Sequence, residues 1–205
     1  MTANASLLPG LSKEIRALLP VWIACTSAVG ADVLLGDTTL RGIGVLAYGL
    51  GSVALGAQSI GHEYAYRTLG VLLSQPSERR RILLTKLMVL TSMILVLSAF
   101  AWGLLPADGE RSRASLWHPA ALYLAAACGL FVAPWLTMVT RNALAGVVFT
   151  VAAAGVLMVA GDLIGVARYG FSGSAAAIDA FKMTFFSGGM AALCAVGAAS
   201  GWRMS

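Results

Sequence analysis

Five stretches of this chain, residues 42–61, 87–107, 114–140, 142–161 and 183–202, contain no Asp, Glu, Lys or Arg. A helix rises about 1.5 Å per residue, so each stretch is long enough to cross a hydrocarbon core of roughly 30 Å. A sixth run, Ala17 to Gly36, is interrupted by Asp32 alone. A water-soluble domain covers itself with charge, and about a quarter of its residues are normally charged. Here 11% are charged and 59% are hydrophobic, which excludes a soluble globular fold. The expectation is a single all-α integral membrane domain over residues 1–205, with six transmembrane helices near 17–36, 42–61, 82–105, 117–140, 142–164 and 183–202. What remains is too short for a second, soluble domain. The run before Lys13 is weakly apolar and lacks a basic start, so it reads as a retained N-terminus rather than a secretory signal.

Six spans bring both termini to one side. With the termini in the cytoplasm, Lys13, Arg16, Arg67, Arg79, Arg80, Arg81, Lys86, Arg141 and Arg203 lie inside. Arg41, Arg111, Arg113, Arg168 and Lys182 lie outside. Nine basic residues against five satisfy the positive-inside rule. The acids run the other way, with Glu14, Glu63 and Glu78 inside and Asp32, Asp37, Asp108, Glu110, Asp162 and Asp179 outside or near the outer end. The net charge of +5 therefore reads as membrane topology, and no basic patch interleaved with exposed aromatics points to nucleic acid. Trp102, Trp117, Tyr169 and Trp202 fall at span ends, where amphipathic rings anchor at the interface. Cys25, Cys128 and Cys194 all fall inside spans and at no metal-ligand spacing, so they read as small packing residues.

Pro134 inside the fourth span removes a backbone donor and predicts a kink. Gly49, Gly51, Ser52 and Gly56 in the second span, and Gly197 to Gly201 in the sixth, are small-residue faces suited to close packing within the chain or between two chains. Residues 11–19 put Leu11, Ile15, Leu18 and Leu19 on one face, with Lys13, Glu14 and Arg16 elsewhere and Ser12 as a cap. That pattern predicts an amphipathic helix on the membrane surface before the first span. The segment 61–81 is too polar to span and too apolar for a free linker. Leu69, Leu72, Leu73 and Pro76 recur at helical spacing beside Arg67 and Ser74. They predict a short amphipathic cytoplasmic helix that stops near Pro76. Such a helix either lies flat on lipid, with Arg79 to Arg81 against anionic headgroups, or docks a soluble partner.

These residues resemble the signature of ABC-2 type permeases, the membrane subunits of a class of ATP-binding-cassette exporters. Glu63 stands at the signature's acid and Thr68-Leu69 at its Thr-Leu. Leu72-Leu73, Ser74, Pro76, Arg79 and Lys86 follow in order and spacing. Arg67 replaces the usual Gly, and Thr85 the Gly that often precedes the Lys. The resemblance implies that the helix between spans two and three is a coupling helix on an ATPase subunit, carried by Glu63, Arg67, Thr68, Leu69, Leu72, Leu73, Ser74 and Pro76. An apolar ridge suits such a groove, and Glu63 and Arg67 can fix its register by charge-assisted bonds. It further implies two copies of an ABC ATPase carrying the ATP and Mg, a second permease that is identical or paralogous, and no cofactor on this chain. The N-terminal helix would be the family's interfacial helix, and residues 162–182 an outer re-entrant hairpin, unless they form a plain outer loop. Substrate contacts would come from spans one, two and five, where Thr26, Ser27, Tyr48 and Ser52 suit a hydrophobic or amphiphilic cargo. The expected setting is the plasma (inner) membrane of a bacterium.

Other chemistry finds little support in the residues. Gly170-Phe171-Ser172-Gly173 has the form of an intramembrane serine protease, but a histidine base from a later span is needed. The two histidines, His62 and His118, both precede Ser172. His62-Glu63 lacks the second His of a zinc-protease helix, and no phosphate-binding G-x-x-x-x-G-K-[ST] occurs. The chain thus reads as a transport subunit rather than an enzyme, with no catalytic or metal residues. A stand-alone carrier or channel would instead use an intramembrane carboxylate, Asp32 or Asp162. A non-transporting scaffold would use the 61–77 helix to dock some other soluble protein.

Overall fold

The computed structural model describes residues 7–35, 41–65, 79–103, 119–170 and 175–204, with side chains over 12–31, 43–62, 84–103, 122–170 and 177–200. Among them, six helices are long and apolar enough to cross a membrane. Span 1 is Leu7–Leu35, span 2 Arg41–Ala65 and span 3 Arg79–Gly103. Span 4 is built from Pro119–Ala127, a π-helical turn Cys128–Val132 and Ala133–Thr140. Span 5 is Ala143–Tyr169 and span 6 is Ala175–Met204. No water reaches backbone groups in hydrocarbon, so each span must satisfy its peptide bonds internally, and continuous helix is the way a single segment does so. Side-chain hydroxyls follow the same rule. Thr26, Ser52, Ser98, Thr137 and Thr150 each donate to the carbonyl four residues back, at 2.7–2.9 Å.

Span 2 is the centre of the bundle. Half of its apolar window is buried, against 11% for spans 5 and 6. One core joins spans 1 to 4 through Leu18, Val29, Tyr48, Leu55, Leu90, Ile94, Leu97 and Leu122. A second joins spans 2, 4 and 6 through Val53, Ala57, Cys128, Ala133 and Met190. Lipid offers no hydrophobic drive for helices to meet, so their backbones must approach closely enough for dispersion to act. Glycine provides that approach at Gly56, where an added Cβ would strike the Gly129 carbonyl, and at Gly61, where it would strike Ala143. Gly51 lies against Cys25, Gly146 against Thr137, and Gly197 against the Phe131 carbonyl. The small-residue faces expected in spans 2 and 6 are therefore used within the chain at these positions, while Gly49 faces open space.

The first helix differs from expectation, and two further places add detail. The amphipathic segment 11–19 is no separate surface helix: Leu7–Leu35 is one helix that passes through Pro20. Pro20 lies near the middle of this helix and removes one backbone bond to the preceding turn, while the long apolar run beyond it carries the helix on. Leu18 is buried in the core, while Ile15 and Leu19 are exposed. Over 162–182, where a re-entrant hairpin or a plain outer loop is expected, the described residues belong to the flanking helices: span 5 continues to Tyr169 and span 6 runs from Ala175, with 171–174 outside the described residues. Asp162 and Lys182 pair at 2.9 Å across the two helices, and the Arg168 guanidinium sits 5.7 Å from the Phe181 ring centre, which lets polar residues extend both helices. Span 5 closes on Gly170, whose φ of 72° suits a residue without Cβ and whose N–H donates to the Val166 carbonyl. A π turn precedes Pro134. In it the Ala133 N–H reaches back five residues to Cys128. Proline cannot donate to the preceding turn, and widening that turn accommodates the loss.

Spans 4 and 5 are joined by Arg141, a left-handed residue at φ 55°, and Asn142. The Asn142 side chain caps span 5 by accepting from Leu144 N at 2.9 Å and Ala145 N at 3.5 Å.

Candidate functional site

A charge enclosed in a membrane bundle is costly, so each one that is retained needs an explanation. Glu14 of span 1 and Lys86 of span 3 are enclosed together, with side chains 12% and 8% exposed. Helical register puts them there. On span 1 the core-facing stripe is Glu14, Leu18, Val21, Cys25 and Val29. On span 3 it is Lys86, Leu90, Ile94, Leu97 and Ala101. Each charged residue thus occupies the first turn of an otherwise apolar stripe.

The Lys86 ammonium donates to both carboxylate oxygens of Glu14, each at 2.9 Å. It also donates to the Ser59 carbonyl of span 2 at 3.1 Å. Ser59 is itself buried, and its hydroxyl donates to the Gly56 carbonyl at 2.7 Å. His62 completes the cluster from the last turns of span 2. Its Nδ1 is 3.0 Å from the Gln58 carbonyl, so Nδ1 carries the proton and donates. Its Nε2 is buried without a hydrogen-bond partner, 3.7 Å from Glu14 Oε2. Three spans therefore meet at one polar node. The acid and the ammonium neutralise each other, and the amide carbonyl takes up a further donor.

The node lies at the two ends of the candidate coupling segment. Glu63 is in the last helical turn of span 2, immediately after His62, and span 3 begins at Arg79, with Lys86 two turns in. Arg67, Thr68, Leu69, Leu72, Leu73, Ser74 and Pro76 lie outside the described residues, as does the Glu63 side chain.

The four candidate path residues fall into two places. Thr26 and Ser27 line an open groove of about 540 Å³ with Gly30, Ala31 and Phe100, between spans 1 and 3. Tyr48 and Ser52 are buried in the core. The Tyr48 hydroxyl is 2.8 Å from Ser98 Oγ and 3.1 Å from the Leu122 carbonyl, which ties span 2 to spans 3 and 4. Of the two intramembrane carboxylates, Asp162 is half-exposed and paired with Lys182. Asp32 lies on span 1, and its side chain is outside the described set.

Among the described residues, no three His, Cys, Asp or Glu side chains converge on a possible metal site. The thiols of Cys25, Cys128 and Cys194 are free. Among the described residues the arrangement offers a polar junction between three helices and an open groove. Sequence reading assigned Glu14 to the solvent side of its helix and treated Lys86 as a topology charge and a motif position. The available signal was register: counting back by four from Leu18 and from Leu90 lands on each of them. No protein-family model matches the chain, and no characterised protein or solved structure matches it.

Proposed function

We propose that this chain is the membrane subunit of an ABC-2 type exporter, moving a hydrophobic or amphiphilic substrate by ATP hydrolysis on separate ATPase subunits. The observation that carries the reading is the ordered set Glu63, Thr68-Leu69, Leu72-Leu73, Ser74, Pro76, Arg79 and Lys86, set between the second and third of six apolar spans. The excess of Lys and Arg at the ends of the spans supports cytoplasmic termini, and this puts the segment where a soluble ATPase can reach it. In this reading Leu69, Leu72 and Leu73 enter a groove on the ATPase, and Glu63 and Arg67 set the register. The open groove at Thr26 and Ser27 is a surface on which an amphiphile has both apolar walls and hydroxyls. The working assembly has two ATPase subunits and a second permease, in a plasma membrane.

The test is a detergent pull-down of the tagged chain from its native membrane, with mass identification of co-purifying proteins. An ABC ATPase in near-equal amount, lost on Leu72→Asp, is the expected result. A well-behaved preparation without an ATPase would overturn the exporter reading and favour a stand-alone carrier or a scaffold.

A further inference from the structure

We infer that Cys128, Cys194 and Met190 form a binding site for a soft monovalent cation of the Cu(I) class between spans 4 and 6. The inference does not rest on the exporter reading. It starts from how closely the two spans run. A Cβ added at Gly197 of span 6 would strike the Phe131 carbonyl of span 4. Cys194 and Cys128 each stand three residues before these two, about one helical turn earlier on each span. Spans 4 and 6 are two apart in an alternating bundle, so they run in the same direction. The close crossing therefore carries over to the cysteines, whose thiols meet across it. Met190 lies a further turn back on span 6, on the face of Cys194. It is buried in the same core as Cys128.

The donors select the ligand. Thiols and thioethers are soft and favour Cu(I), whereas Ca²⁺ and Mg²⁺ need oxygen ligands. Among the described residues no third His, Cys, Asp or Glu joins the two thiols, and the side chains packed around them, Val53, Ala57, Ala133 and Leu193, are apolar. A single positive charge suits such a lining. One thiol releases its proton to the aqueous phase and binds the metal as thiolate, so that the two charges cancel. The second thiol and the thioether donate lone pairs and stay neutral, and no electron is transferred. The complex then has no net charge to bury, whereas Cu(I) on two thiolates would leave a negative one in the core. A filled d shell sets no directional preference, so three ligands on two helices suffice. The local backbone favours adjustment. Cys128 opens the π turn, a form frequent at functional sites, and the unbranched Met190 side chain has three rotatable bonds. Cys194 is only partly covered, which leaves one ligand open to exchange from outside the core.

The experiment uses the purified full chain in lipid nanodiscs, without oxygen and with ascorbate as reductant. The probe is Cu(I) presented as its coloured complex with bicinchoninate, and the readout is the colour lost as the chain withdraws metal. The expected result is one Cu(I) per chain, with a first shell of sulfur alone by X-ray absorption at the copper edge. Met190→Leu conserves volume, so the fold is kept, and it should weaken binding by about tenfold or more, the least that a change around a metal site normally costs. Cys194→Ala should abolish the withdrawal of metal. Cys25→Ala, which lies in the other core, should bind as the wild type does. A wild-type chain that withdraws no Cu(I) would overturn the inference. So would Met190→Leu and Cys194→Ala variants that elute as single species and bind like the wild type, or a loss on Cys25→Ala as large as that on Cys194→Ala. Each of these results leaves the exporter reading to be decided by its own pull-down.

Discussion

Glu14 and Lys86 are charged residues that the bundle neutralises from within, and this makes their energetics asymmetric. Taking Lys86 away leaves the enclosed Glu14 carboxylate without its ammonium, while replacing both leaves an apolar contact. Lys86→Met alone should destabilise the chain by about 3–5 kcal/mol, whereas Glu14→Leu with Lys86→Met should be neutral or stabilising. Unfolding of the purified chain in bicelles, followed by tryptophan fluorescence, measures both. A double variant as unstable as the single one would mean that the pair is net stabilising and irreplaceable. His62 gives a milder test. Its Nε2 lacks a partner, and its one hydrogen bond goes to a carbonyl of its own helix. His62→Phe should therefore shift stability by less than about 1 kcal/mol, measured in the same way. The pair itself was hard to read in the sequence because a charge near the start of an apolar run looks like any interfacial residue. Glu14 sits between Lys13 and Arg16, both exposed, so composition alone assigns it to the same wet surface. Only the register of Leu18 and Val29 separates it from them.

At the scale of the element, the fourth span depends on backbone rather than side chain. The π turn at Cys128–Val132 brings Gly129 against Ser52 and Gly56 of span 2, with carbonyls where side chains normally intervene. A carbonyl cannot turn aside as a side chain can. Gly56→Ala should accordingly cost about 1–3 kcal/mol, as overpacking of a filled core does. Gly49→Ala, on the same helix but facing open space, should be neutral or stabilising by up to about 1 kcal/mol, because alanine is the better helix former. Parallel thermal unfolding of the two variants in detergent checks this, and equal effects would show that the close crossing is absent in the membrane. Six apolar helices were legible from charge-free runs, since hydrocarbon thickness leaves few other solutions. Their ends were less legible. Lys182 and Asp162 break the apolar pattern and invite a loop, yet opposite charges on neighbouring helices satisfy each other and let both helices continue. Likewise Pro134 was readable as a disturbance, but whether it takes the form of a kink or a π turn depends on what packs beside it.

At the scale of the whole molecule, the buried ends of spans 1, 2 and 3 lie together at the node, and Gly61 of span 2 meets Ala143 at the start of span 5. The opposite ends meet through Trp102 with Tyr123, and Tyr169 with Phe181, at 6.1 Å between ring centres. The bundle therefore has two distinct faces, one gathering Lys86, Glu14 and the Arg141 turn, the other ringed by aromatic side chains and the Asp162–Lys182 pair. A basic end is held on the cytoplasmic side, because translocating Lys and Arg is disfavoured during insertion. Applied to the proposed topology, that rule predicts both termini, residues 66–78 and Arg141 on the cytoplasmic side. Single cysteines test it in a background where Cys25, Cys128 and Cys194 are replaced by alanine. Thr38→Cys and Ala107→Cys should react with a membrane-impermeant maleimide in intact cells. Ser77→Cys should react only after the membrane is opened. The reverse pattern would invert the chain, put residues 66–78 on the far side from a soluble ATPase, and overturn the proposed function.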